Sequence, residues 1–302
     1  MSTAPLVLVS VAICTHNRAQ SLAVTLASVG ALRDPGVPWE LLVVDNNSSD
    51  GTRQVIEAFG EGHPVRVLAE RRQGLSHARN RALRACRGDL IAFTDDDVTL
   101  DPGWLEAYAG ARARHQNAGY FGGPIRVVWP AGRPAWVRDE GLPLIGGLLG
   151  HYDRGPDEHA YAPGEPHPYG ANLALRRALW ERVGEFRGDL GVSGESPGRG
   201  EEAEYLDRAG SAGLEGWYLP GASCGHRVQA AHLRLRHLYR YGIEKGVAAA
   251  RIGPAPAAGG KWGGEALHVL RGLGQIVKGR GDRWRQCVIN AGIERGLRRG
   301  RA

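Results

Sequence analysis

Three adjacent aspartates, Asp95-Asp96-Asp97, form the sharpest chemical feature of this 302-residue chain. Neighbouring carboxylates repel one another, so local stability gives no reason to group them. A hard divalent cation does, because Mg2+ and Mn2+ take oxygen ligands and are often shared with substrate phosphates. In an extended segment Asp95 and Asp97 point to one side and Asp96 to the other. The competing reading is an acidic loop capping a helix at Asp101-Pro102, where proline suits the first turn. Two further polar clusters, Thr15-His16-Asn17 and Asp45-Asn46-Asn47, follow apolar runs in the same way.

The elements that must carry these clusters alternate. Leu6 to Cys14 reads as a buried strand, followed by Leu22, Leu26 and Val29 at helical spacing. Glu40 to Val44 is a second strand. Ser48, Ser49 and Asp50 are N-cap candidates for a helix burying Val55, Ile56 and Phe59. Val65 to Leu68, Ser76 to Cys86 and Asp89 to Thr94 continue the strand–helix–strand rhythm. Such alternation implies a mostly parallel α/β sheet, Rossmann-like and flanked by helices, with right-handed crossovers. Ligands of such sheets lie beyond the carboxyl ends of the strands, where all three clusters fall. Neither GxGxxG after the first strand nor GxxxxGK[ST] is present, so dinucleotide and P-loop binding lack motif support. After Tyr120 the rhythm changes. Gly122 to Trp129 suggests a strand, His151 to Pro168 a long polar loop, Ala178 to Val183 a helix, and Gly188 to Gly200 a flexible loop. The last segment reads as amphipathic helices, with Leu267, Leu270, Leu273 and Val277 on one face and Trp284, Val288 and Ala291 on another.

Composition narrows the class. Hydrophobic residues at 42% and charged residues at 23% are ordinary for a globular protein. The first residues lack the basic region of a signal peptide, and no run reaches the roughly 20 apolar residues of a membrane span. Cys14, Cys86, Cys224 and Cys287 form no CxxC pair, which suits a reducing, cytoplasmic setting. The net charge of +6 is uneven: residues 231–302 hold 15 Lys and Arg against 4 Asp and Glu, and residues 1–230 hold 23 against 28. A basic tail on an acidic body suits nucleic acid, anionic lipid or solvent alone.

Taken in order, the motifs resemble family 2 glycosyltransferases of the GT-A fold. They are Ile13-Cys14-Thr15-His16-Asn17-Arg18, Val43 to Thr52, Gly74 to Asn80, Gly88 to Asp97, Gly170-Ala171-Asn172, Gly200-Glu201-Glu202, and Leu219-Pro220 through His226-Arg227. The resemblance covers roughly residues 7–230. It implies an inverting transfer of sugar from a nucleoside-diphosphate sugar, typically UDP-linked, to an acceptor hydroxyl, with Mn2+ or Mg2+ as cofactor. Thr15, Asn17 and Arg18 would border the nucleotide and Asp45 would accept from the base. Arg79 would meet nucleotide or phosphates, as a planar guanidinium suits an anion. Asp95 and Asp96 would touch donor or ribose, and Asp97, with Asp95 and His226, would hold the metal. Glu202, or its neighbour Glu201, takes the place of the family's base, where aspartate is usual. Asn172 and Trp129 are acceptor-side candidates; Trp136 and Tyr169 are also placed to stack on sugars or to pack in the core. Cys224 beside His226 does not complete a zinc site.

The resemblance also implies a domain arrangement: a catalytic domain over 1–230, with a nucleotide half at 1–120 and an acceptor half at 121–230, then a basic helical extension at 231–302. A saccharide or lipid-linked acceptor is expected, as in cell-envelope or surface polysaccharide synthesis. In this setting the tail is expected to meet an anionic membrane from the cytoplasmic side and not nucleic acid. Two other classes share parts of the pattern. A sugar nucleotidyltransferase has a similar sheet and acidic site but needs a Gly- and Lys/Arg-rich loop after the first strand, which Thr15-His16-Asn17-Arg18 is not. A non-catalytic carbohydrate- or nucleic-acid-binding protein leaves the acidic groups without a task.

Overall fold

The computed structural model describes residues 9–135, 137, 142–192, 199–252 and 281–299. Trp136, residues 193–198 of the Gly188 to Gly200 loop and the Leu267 to Val277 face lie outside them, as does the side chain of Trp284. The contacts divide the chain into two units: Met1–Arg126, Tyr152–Gly188 and Glu202–His226 form one, and Val127–His151, Asp189–Glu201 and Arg227–Ala302 the other.

The first unit is built on an eight-stranded sheet, ordered β3-β2-β1-β4-β9-β6-β10-β8. Its strands are β1 (Val9–Thr15), β2 (Trp39–Asp45), β3 (Val65–Ala69), β4 (Leu90–Asp95), β6 (Ala118–Gly122), β8 (His159–Ala160), β9 (Asn172–Arg176) and β10 (Glu215–Tyr218). β1 lies between β2 and β4, and every one of its residues is buried, as the unbroken apolar run of a doubly covered parallel strand requires. β1 pairs in parallel with β2 and β4, which sets Thr15 opposite Asp45 and Cys14 opposite Asp95. All three polar clusters therefore stand on one rim. Beyond β4 the sense reverses: β9 runs antiparallel to both β4 and β6. The sheet is thus parallel where strands and helices alternate and mixed where that rhythm is lost.

Helices α1 (Ala19–Gly30), α2 (Thr52–Gly60), α3 (Leu75–Ala85) and α4 (Trp104–Arg114) fall where the sequence placed them. α1 buries Leu22, Leu26 and Val29. The N-cap of α2 is Gly51, which has no side-chain cap; of the three candidates ahead of it, Asp50 accepts from the Thr52 N–H at 3.0 Å and from the Ala19 N–H at 3.1 Å. One core cluster joins Val11, Ile13, Leu26 and Ile56 to Trp104 and Tyr108; a second joins Ala12, Leu42, Leu83 and Phe93 to Tyr205 and Leu206. α6 (Arg177–Val183) and α7 (Glu201–Ser211) complete this part of the chain. A smaller sheet, β5-β11-β7, uses β5 (Val98–Leu100), β11 (Cys224–Arg227) and β7 (Ile125–Val128).

In the second unit α5 (Leu142–Leu149), α8 (Leu235–Ile252) and a final helix, α9 (Gly281–Arg299), surround an apolar cluster that includes Leu149, Val228, Leu238 and Ile289. α8 and α9 meet through glycines. A Cβ on Gly242 would strike the Ile289 carbonyl and one on Gly246 the Ile293 carbonyl; Gly292 and Gly296 face α8 carbonyls in the same way. The pairing 242 to 292 and 246 to 296 makes the two helices run in the same direction. Small residues four apart let helix backbones touch. Among the described residues no helix is long and apolar enough to cross a membrane.

Candidate active site

The acidic cluster sits where β4 turns into β5. Asp95 ends β4, Asp96 and Asp97 make the turn, and Val98 opens β5. Antiparallel pairing of β5 with β11 sets His226 opposite Val98, and this register brings His226 Nε2 within 3.4 Å of Asp97 Oδ1. The other Asp97 oxygen lies 3.4 Å from Arg18 Nη1. Thr15, at the end of β1, donates its hydroxyl to Asp96 Oδ2 at 2.7 Å. Arg79 rises from α3, buried, with Nη2 3.7 Å from Asp95 Oδ1. Its guanidinium lies against Gly170, where any Cβ would collide with it.

Burial and repulsion from neighbouring carboxylates act against the ionised form of Asp95 and Asp96. Desolvation, with help from Asp97, pushes Asp96 up to about 7 against the pull of Arg18 and Thr15. Desolvation also raises Asp95; Arg79 opposes it, and the negative charges of Asp97 and Glu202 add to it. A cluster held partly protonated until positive charge arrives is suited to receive a cation or a cationic ligand group. Burial pushes the Cys14 thiol up to about 12, so it stands beneath the rim as an inert apolar group.

Among the described residues no group of three or more His, Cys, Asp or Glu side chains is arranged to hold a metal. Asp97 and His226 nonetheless converge, and a carboxylate with an imidazole matches the donor set of Mn2+ or Mg2+ when substrate phosphates and water complete the shell. Asp95, the other carboxylate expected at a metal, stands within the charges of Asp97 and His226 and is met by Arg79.

The β2 end is organised by hydrogen bonds. Asp45 Oδ1 accepts from the Ser48 N–H at 2.9 Å. Asn17, at φ 51°, accepts from the backbone N–H groups of Ser49 and Asp50, so its carboxamide joins the loops after β1 and β2. Asn46 was unremarked in the sequence except as part of a polar cluster. It is buried, donates to the carbonyls of Glu70 and Arg72, and accepts from the Gly74 N–H. It thereby fixes the turn from which α3 and Arg79 start.

Of the two acceptor-side candidates, Asn172 is turned inward. Asn172 is fully buried. Its oxygen accepts from Trp104 Nε1 and the Tyr108 hydroxyl, both at 2.7 Å, and its nitrogen donates to the carbonyls of Pro124 and Ala222. Both ends of its side chain are thus engaged inside the core. Trp129 belongs to the second unit, half-buried against the apolar cluster there. Tyr169 is half-buried, and burial together with the Glu202 charge raises its hydroxyl. Glu201 is 3% exposed, and its charge acts on Arg199. Glu202 is half-buried and acts on Asp95.

The sequence profile described as glycosyl transferase family 2 matches residues 10–184. Glucosyl-dolichyl phosphate glucuronosyltransferase of Haloferax volcanii is 28% identical over 203 residues, 66% of this chain and 62% of that protein. Succinoglycan biosynthesis protein ExoM of Rhizobium meliloti is 29% identical over 214 residues, 68% of this chain and 62% of its own length. The chain thus spans a little over three-fifths of either relative. Among solved structures, mannosyltransferase PcManGT from Pyrobaculum calidifontis, in complex with GDP-Man and Mn2+, superposes with a TM-score of 0.62 at 20% identity, covering 98% of this chain and 88% of that one. Its likeness shows a shared GT-A fold.

Proposed function

The chain belongs to glycosyl transferase family 2, and from that premise we propose that it moves a sugar from a nucleoside-diphosphate donor, UDP-linked in the first instance, onto an acceptor hydroxyl with inversion. The observation that carries this reading is the convergence of Asp97 and His226 on the rim of β4, beside Arg18, Arg79 and Thr15. Asp97 and His226 would hold Mn2+ or Mg2+, and when bound the ion would offset the charge developing on the departing diphosphate. Thr15, Asn17 and Arg18 border the nucleotide, and Asp45 accepts from its base. Arg79, locked between Asp95 and Gly170, presents a fixed cation to the donor.

Glu202 acts as base. Its charge reaches Asp95, whereas Glu201 is buried beside Arg199. As the acceptor oxygen attacks the anomeric carbon, the carboxylate takes the hydroxyl proton while the diphosphate leaves from the opposite face. One displacement inverts the centre and needs no protein nucleophile.

The acceptor is a saccharide or a lipid-linked glycan, as the names of the Haloferax and Rhizobium relatives suggest. The exposed Arg234, Arg236, Arg295 and Arg299 suit an anionic membrane surface. The central test measures binding of UDP, GDP and dTDP by calorimetry with and without Mn2+. At least one nucleotide should bind more tightly with metal, and Asp97→Ala should remove that gain. Release of UDP from UDP-sugars supports transfer, and pyrophosphate release from UTP with a sugar phosphate supports a nucleotidyltransferase. Metal-independent binding throughout would end the proposal.

A further inference from the structure

Asn80 closes the Gly74 to Asn80 motif, yet it has no part in the reaction proposed above. It is buried on α3, and its carboxamide is committed to one residue 106 positions away. Nδ2 donates to the Phe186 carbonyl at 2.8 Å, and Oδ1 accepts from the Phe186 N–H at 2.9 Å. A side-chain amide that meets both backbone groups of one residue fixes that residue in place. Phe186 stands just after α6, in a segment held from two helices. From α3, Arg84 donates to both Glu185 oxygens, at 2.7 and 2.9 Å. From α7, Arg208 donates to the carbonyls of Val183 and Glu185.

The Phe186 ring, itself buried, then reaches two parts of the site. It stacks on Tyr205 of α7 with centroids 4.2 Å apart. The Arg79 guanidinium lies over it at 5.8 Å, within the roughly 6 Å at which a cation and a ring attract. That guanidinium is the one that approaches Asp95 and lies against Gly170. Tyr205 is fully buried and stands three residues after Glu202, so the two share a side of α7. One ring thus touches both the cation offered to the donor and the helix that carries the base, and all of these residues belong to the first unit.

We propose that Asn80 and Phe186 are positioning residues for the reaction: Asn80 fixes the Phe186 ring, and the ring sets the Arg79 guanidinium and α7 at Tyr205, and with them the spacing between the donor's cation and the Glu202 carboxylate. The inference rests on the reading of Arg79 and Glu202 given above. Packing alone asks only for apolar volume at position 186, which leucine supplies about as well. It does not ask for an aromatic face under a buried arginine, nor for a carboxamide that fixes where the ring stands. A reacting group displaced by about 1 Å loses roughly two orders of magnitude in rate. A modest shift of the ring is therefore visible in turnover without unfolding the protein.

The test uses the full chain carrying Phe186→Leu, Asn80→Ser, Arg79→Met, Phe186→Leu with Arg79→Met, and Phe121→Leu as a matched control. Phe121 is fully buried in the other core cluster of this unit. A guanidinium, that of Arg176, lies over its ring at the same 5.8 Å, but Arg176 donates to the carbonyls of Arg112 and His115. For whichever of UDP, GDP and dTDP binds best with Mn2+, Phe186→Leu and Asn80→Ser should lower affinity roughly 3- to 10-fold. With the matching sugar nucleotide at saturation, kcat should fall roughly 10- to 100-fold. Phe121→Leu should lower the melting temperature comparably and keep both quantities within about twofold. In the Arg79→Met background Phe186→Leu should cost no further affinity, because the ring acts through that guanidinium. An equal loss with and without Arg79 overturns the inference. So does a Phe121→Leu chain that loses as much affinity and rate as Phe186→Leu, which marks general destabilisation. Where Phe186→Leu does not fold, Asn80→Ser takes its place in the same cycle. Should the unaltered protein bind none of the nucleotides, the functional reading fails, and melting of the unliganded chains still decides the contact. Shifts of Phe186→Leu and Arg79→Met that simply add overturn it, and a double variant that falls short of their sum upholds it.

Discussion

At the residue scale, the site separates groups that adjacent letters in the sequence cannot. Asp95, Asp96 and Asp97 face Arg79, Thr15 and His226 respectively, because a strand end and the two-residue turn that follows it point three neighbours in three directions. Glu202→Gln should lower transfer by roughly 10²- to 10⁴-fold, the usual worth of a general base, while nucleotide affinity is kept; undiminished turnover in a nucleotide-release assay would remove Glu202 from the mechanism. Asn172 shows the limit of motif reading. Its place in Gly170-Ala171-Asn172 suggested a ligand contact. Trp104 and Tyr108, which occupy its oxygen, come from α4, more than 60 residues earlier, and no local pattern reveals such a partner. Asn172→Ala should cost about 2–4 kcal/mol by leaving buried donors and carbonyls without partners. Urea unfolding would measure it, and a loss below about 0.5 kcal/mol would contradict the arrangement.

At the element scale, apolar runs and helical rhythm revealed β1 to β4 and α1 to α3, because each buries a continuous face, and the Asp101-Pro102 start revealed α4. The reversal of strand sense at β9 left no such mark, since an antiparallel neighbour buries the same side chains as a parallel one. The glycine contact between α8 and α9 was equally silent, as small residues add nothing to an apolar face. Two substitutions test that contact by contrast. Gly242→Ala, driving a Cβ into the Ile289 carbonyl, should destabilise by about 1–3 kcal/mol. Gly210→Ala in α7 meets nothing within 4 Å and should be neutral or stabilise by about 0.5–1 kcal/mol; thermal melts with equal shifts for both would refute the helix pairing.

The loop after Tyr152 makes its own prediction. Glu165 accepts from the Ala162 N–H, Arg154 and His159. Desolvation opposes ionisation there, yet these donors prevail and hold the carboxyl at about 2. Because the folded value lies below the unfolded one, the contribution is complete above about pH 4.5 and fades as pH falls towards 2. Glu165→Gln should therefore loosen this loop at pH 7 by roughly 2 kcal/mol, with the difference from the unaltered chain shrinking below pH 4. Limited proteolysis across that range would show it.

At the scale of the whole molecule, charge set the tail apart in the sequence, but it did not reveal that residues 127–151 and 189–201 pack in the same unit. Those segments do not share the basic charge of the tail, since residues 127–151 are balanced and residues 189–201 are acidic, and only contact brings them together. For the tail, sedimentation with phosphatidylglycerol vesicles should exceed that with phosphatidylcholine vesicles and should fall at high salt, as exposed arginines near an anionic surface demand. Replacing Arg234, Arg236 and Arg299 by Glu should abolish the difference, and equal recovery with both lipids would exclude an electrostatic contact.

The change of strand direction beside β4 bears on how such a chain diversifies. On the β1 side each connection is a crossover helix wedged against the sheet, and an insertion there would disturb the core on which the nucleotide rim depends. On the β9 side the chain between Gly122 and Tyr169 makes a long excursion before returning antiparallel to β4. Lengthening or exchanging that excursion leaves the pairing of β1, β2 and β4 untouched. On the reading proposed above, a chimera exchanged over 123–168 should keep nucleotide affinity while its acceptor changes, and loss of nucleotide binding in calorimetry would show that the stretch also supports the rim.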